Sequence, residues 1–237
     1  MANPAFSEKT FSKVEYVMDQ PMTLQGTLNK ITVLLLVTIG VGGITFVSAL
    51  SGQAWAIPFG LFGALGGLGI AIALAFKPQW APSLAPVYAV LEGAFVGVVS
   101  SVFAEFAFPA AVLTFGVLGL MLVVYRTGLI RVTQGFVRGV VVATGAVALL
   151  YLLTFALSFF NVQMPYIHDS GPIGILFSLV VVGLAAFNLL LDFHLIEMGV
   201  AQRAPRYMEW YAAFGLLVTI VWLYLEILKL LAKLNRR

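Results

Sequence analysis

The sequence predicts an all-α integral membrane protein, a bundle of seven transmembrane helices in one domain. Of its 237 residues 61% are hydrophobic and only 10% are charged, whereas a soluble domain carries about 25% charged residues. Mean hydropathy is +1.03. Seven separate apolar runs also approach the ~20 residues that a bilayer crossing needs. The same composition narrows the chemistry. Cysteine is absent, which excludes disulfides and thiolate metal sites, and the two histidines, His168 and His194, are too few for a three-histidine centre. The formal net charge of +3 comes from basic residues scattered between apolar runs, a pattern of membrane topology and not of nucleic-acid binding.

The chain divides into a cytoplasmic tail, residues 1–29, and a transmembrane domain, residues 30–237. Glu8, Lys9, Lys13, Glu15 and Asp19 interrupt the tail, so no cleaved signal peptide is expected. Phe11, Val14 and Met18 fall at helical spacing before Pro21 and permit a short interfacial helix; a disordered tail is the alternative. The predicted spans are Ile31–Leu50, Ala54–Phe76, Pro82–Phe103, Pro109–Tyr125, Phe136–Phe160, Pro172–Ile196 and Tyr207–Leu234. Pro58, Pro82, Pro86, Pro109 and Pro172 are expected in or near first turns, where a missing N–H does no harm, and Pro205 precedes the last helix. Short links predict antiparallel neighbours. Gly60, Gly63 and Gly67, with Gly93 and Gly97, form small faces for close helix approach.

Lys and Arg set the orientation. With the N-terminus inside, inner segments hold Lys9, Lys13, Lys30, Lys77, Arg126, Arg131, Arg138, Arg203 and Arg206, and the outer loops hold none, which predicts a cytoplasmic N-terminus. Lys229, Lys233, Arg236 and Arg237 then fall outside after seven crossings. The alternative is a last run that is buried or re-entrant and returns them to the cytoplasm.

The carboxylates point to function. Glu8, Glu15, Asp19 and Asp169 lie in the tail or a loop, and Glu105, Glu197 and Glu209 lie near span ends, within interfacial reach. Glu92, Asp192 and Glu226 lie inside spans, where a charged side chain costs roughly 2.5–3.5 kcal/mol and normally faces a partner or a wet cavity. The structural alternative is a neutral acid hydrogen-bonded between helices. Helical rise puts Asp192 and Glu92 at a similar depth, with Glu226 roughly 10–15 Å further out. Tyr211, Gly215, Thr219, Trp222 and Glu226 share one face of the last helix and can line a water path to Asp192. Two carboxyl groups in a low-dielectric site share protons and titrate together. Protonated, such groups close the seam; ionised, they repel and attract a cation, and calcium favours oxygen ligands. Asp192 and Glu226 are the candidate transient calcium ligands. His194 points away from Asp192 around the helix and reads as core or interface.

LEGAFVG at Leu91–Gly97, LLLDFHLIEMG around Asp192 and LYLEILKLL at Leu223–Leu231 resemble the Bax inhibitor family, the transmembrane Bax inhibitor motif proteins. NPAF at Asn3–Phe6 and RAPRYMEWYAAFGLLVT at Arg203–Thr219 are similar to a bacterial subgroup. The resemblance implies a seven-helix fold with the last helix central, and a pH-sensitive calcium leak gated by an acid pair between helices six and seven. Asp192 matches the sixth-helix acid. The seventh-helix position falls on Glu226 by letters and on Thr219 by distance from the turn; in the second case Glu92 or Glu226 must supply the second carboxylate.

The function expected is a pH-sensitive cation leak, calcium foremost, of the bacterial cytoplasmic membrane, with Asp192, Glu226, Glu92 and Thr219 as gating residues and the lipid bilayer and cations as partners. The alternative is a non-conducting regulator that binds a membrane protease or cell-death and stress machinery. No resident cofactor and no enzymatic activity are expected: the sequence offers no hydrolase nucleophile motif and no second intramembrane aspartate.

Overall fold

The computed structural model describes residues 21–158, 160 and 171–235. Among them are seven helices long and apolar enough to cross a membrane: α1 Leu24–Leu50, α2 Ala56–Phe76, α3 Ala81–Val102, α4 Ala104–Thr127, α5 Gln134–Ser158, α6 Pro172–Ala201 and α7 Met208–Asn235. A short 3-10 turn, Pro78–Trp80, joins α2 to α3. The expected interfacial helix through Phe11, Val14 and Met18, and the loop residues His168 and Asp169, lie outside the described residues.

Two helices, α1 and α4, begin well ahead of their apolar runs. Thr23 caps α1, its hydroxyl accepting from the Gly26 N–H, so the helix starts about two turns ahead of Ile31. Likewise α4 starts at Ala104, separated from α3 by Phe103 alone. Pro86 and Pro109 therefore stand inside their helices, in the second turn and not the first. The missing N–H at Pro109 deprives the Glu105 carbonyl of its i+4 helical donor, and the proline ring crowds that carbonyl. Gly128, with φ 66°, ends α4 in the left-handed conformation that glycine adopts without strain.

Glycine sets the spacing of α1, α2 and α3. A Cβ at Gly63 on α2 would fall on the Leu91 carbonyl of α3. One at Gly93 on α3 would lie 2.7 Å from the Thr38 carbonyl of α1, and one at Gly97 would fall on the Gly42 carbonyl. Backbone thus meets backbone on both faces of α3, the dispersion-driven packing that replaces the hydrophobic effect in lipid.

The last helix packs against α6, α1, α4 and α3 and is the most enclosed of the seven, whereas α5 is the most exposed. Phe214 anchors α7 from within, its ring 4.8 Å from that of Tyr88 in an edge-to-face contact. The helix runs unbroken to Asn235, so its basic end lies opposite the α6–α7 turn. There Lys233 donates to the Gly174 carbonyl (3.1 Å) and Ser178 hydroxyl (2.8 Å) at the start of α6. An unbroken helix of this length contains no internal turn by which a re-entrant last segment would double back.

Candidate functional site

Two polar side chains one turn apart on α6 face different neighbours. Asn188 donates to Thr144 of α5 at 2.8 Å and to its own helix at Leu184 (2.9 Å), joining α5 to α6. Asp192, only 2% exposed, turns instead to α7, where the Thr219 hydroxyl is its hydrogen-bonding neighbour. Its Oδ2 has no hydrogen-bond partner among the described residues. Thr219 is itself buried and divides its single proton between this carboxylate and the Gly215 carbonyl at 3.3 Å. Among the described residues one carboxylate oxygen is thus held in the bundle without the protein donor that buried polar atoms normally find.

Glu226 is not the partner of Asp192. It lies seven residues beyond Thr219 on α7, about 10 Å along the axis. Both its oxygens accept from the Tyr151 hydroxyl of α5, at 3.1 and 3.0 Å. Lys229 closes the arrangement, its ammonium 3.0 Å from Glu226 and 5.0 Å above the Tyr151 ring. The carboxylate, 1% exposed, is therefore charge-balanced within the chain. A calcium ion shared by Asp192 and Glu226 would have to span this separation and displace Lys229.

Glu92 belongs to a third place. It is hydrogen-bonded to Tyr88, one turn back on α3, and its carboxylate lies over Gly67 of α2. It is turned to the α2 side of α3, whereas Asp192 sits between α6 and α7. The four residues singled out in the sequence thus resolve into one close pair, Asp192 with Thr219, and two acids held elsewhere. Among the described residues no three acids or histidines converge as a metal cluster would require.

The structure adds a polar centre that sequence reasoning missed by assigning Glu209 to the interface. Glu209, in the first turn of α7, is buried. Its Oε1 accepts from both the N–H and the hydroxyl of Thr23 at 2.9 Å, and its Oε2 is ion-paired with Lys30. The Met22 N–H donates to the Ala204 carbonyl at 2.7 Å alongside. A carboxylate at the N-terminus of α1 meets the positive end of the helix dipole. The signal available was the Thr23 cap two turns before the apolar run. A second missed contact joins Tyr125 of α4 to Glu197 of α6 by a hydrogen bond.

A protein-family model described as Bax inhibitor 1 like matches residues 3–236, nearly the whole chain. No curated protein and no solved structure matches it. With seven membrane-spanning helices in place and a family match from end to end, this is a multi-pass membrane protein that belongs to the Bax inhibitor 1 like family.

Proposed function

We propose that this protein is a pH-sensitive cation leak, with calcium as the ion, and that its gate turns on Asp192. The observation that carries the reading is the buried Asp192 oxygen that meets no protein hydrogen-bond donor among the described residues. A protonated Asp192 is neutral and compatible with a closed, dry seam between α6 and α7. An ionised one places a charge there that only a cation can offset, since Thr219 supplies at most one shared proton. Conduction accordingly rises with pH. Oxygen ligands for a hard cation come from Asp192, the Thr219 hydroxyl and backbone carbonyls. Glu226 and Glu92 act as gating residues only after leaving Lys229 and Tyr88 respectively. The distribution of Lys and Arg supports a cytoplasmic N-terminus in a bacterial cytoplasmic membrane, and the reading assigns neither catalysis nor a resident cofactor.

The test is calcium flux into liposomes carrying the purified protein and a trapped indicator, measured across pH. Wild type conducts above the titration of Asp192 and Asp192→Asn does not. Wild-type flux no greater than that of empty liposomes would discard the leak and favour the second reading, a non-conducting regulator that binds a membrane protease or stress machinery. The internal neutralisation of Glu226 by Lys229 is the observation on that side; its mark is a stable complex recovered in mild detergent.

A further inference from the structure

Small residues on facing helices leave a lateral groove in the bundle. Gly42 and Gly43 on α1 face Ala107 and Ala111 on α4 across a cavity of about 260 Å³, floored by α3 and α7. Among the described residues its walls contain no charged side chain. The hydroxyls that reach it are already satisfied: Thr38 donates to the Ala89 carbonyl (3.2 Å), Thr114 to the Ala110 carbonyl (2.7 Å), and Ser100 and Tyr224 share a hydrogen bond of 2.7 Å. Few polar groups face the groove, and an ion entering it would find no countercharge among the described residues.

The groove is continuous with the bilayer-facing surface. Its rim carries Ile39, Phe108 and Phe115, 53%, 79% and 45% exposed, all within membrane-spanning helices. We propose that it is a binding site for one acyl chain of a bilayer phospholipid, entering sideways between α1 and α4. An apolar cavity of ~150 Å³ admits a six-carbon ring, so this one accommodates about ten chain carbons by the same measure. The phospholipid is the source because the groove opens on the bilayer, where phospholipid chains are the surrounding medium, and its described walls offer no Lys or Arg to hold the carboxylate of a free fatty acid. Binding here comes from packing against Ile220, Tyr224 and the small residues, since lipid tails gain no hydrophobic free energy by leaving other tails.

The experiment uses the full chain in phosphatidylcholine liposomes containing a phosphatidylcholine with a photoreactive diazirine on one acyl chain, with adducts mapped by peptide mass spectrometry. Adducts are expected to concentrate on the groove walls, including the inward Tyr224, above the density at Leu149 and Leu152 on exposed α5. Gly43→Phe fills the space from a position where an added Cβ meets nothing within 4 Å. It should abolish the groove adducts and leave those on α5 unchanged; Ala111→Phe, from the opposite wall, repeats the test in an independent background. Groove labelling no denser than at Leu149 and Leu152, or labelling that survives both fillings, overturns the site. Preferential labelling by a diazirine fatty acid added at equal amount overturns the phospholipid as its occupant.

Discussion

Asp192 on α6 and Thr219 on α7 lie level because α6 and α7 run antiparallel from one short turn: Asp192 stands ten residues before the Gln202 that ends α6, and Thr219 eleven after the Met208 that opens α7. At equal rise per residue the two side chains meet, and the second carboxylate that would complete an acid pair is two turns further along.

Asp192→Asn tests what that geometry does. Asparagine keeps the shape and hydrogen bonds to Thr219 but cannot ionise. Calcium flux in liposomes is expected to fall to the background of empty vesicles at every pH. A variant that conducts with the wild-type pH profile would show that Asp192 is not the titrating group.

Thr219→Asp places a second carboxyl group against the first. Two such groups in contact share a proton and titrate in two macroscopic steps. The pH profile of flux should therefore acquire a second step, while Thr219→Val, which removes the hydroxyl and adds no charge, retains a single one. An unaltered profile in Thr219→Asp would separate Thr219 from the gate.

The Glu209 clasp predicts a stability effect away from Asp192. Lys30→Met strips the Glu209 carboxylate of its cation, a loss of about 1.5–3 kcal/mol for one hydrogen bond to a charged group, while Thr23 still donates to it. Lys30→Met combined with Glu209→Gln removes both charges and should recover much of that loss. Thermal unfolding in detergent measures it, and equal stability of the single and double variants would count against the ion pair.

At the other end of α7, Lys229 is 44% exposed while its partner Glu226 is buried. Lys229→Met should destabilise the protein more than Glu226→Gln, because only the first leaves an uncompensated carboxylate in the bundle. The comparison is again read by thermal unfolding, and the opposite order would refute the charge balance described here.

Gly93→Val should separate α1 from α3, since even one carbon there lies 2.7 Å from the Thr38 carbonyl. Overpacking of this kind costs about 1–3 kcal/mol. Gly69→Val on α2, where an added Cβ meets nothing within 4 Å, is the control and should melt like wild type.

Run length, hydropathy and the spacing of Gly60, Gly63, Gly93 and Gly97 suffice to predict the number of helices and the backbone contacts of α3, because both depend on short-range properties: how many apolar residues follow one another, and where a side chain is missing. The level of Asp192 was legible only in part: counting residues from the α6–α7 turn points to Thr219, whereas the letters LYLE point to Glu226, and the sequence left the choice open. Only the tertiary structure decided which donor each acid receives. Tyr151 reaches Glu226 across 75 positions and Lys30 reaches Glu209 across 179, and no local pattern records such meetings. A lone acid in an apolar run announces that a partner must exist, because its charge is costly there; the identity of that partner depends on how each helix is rotated about its own axis, which close packing against several neighbours sets together.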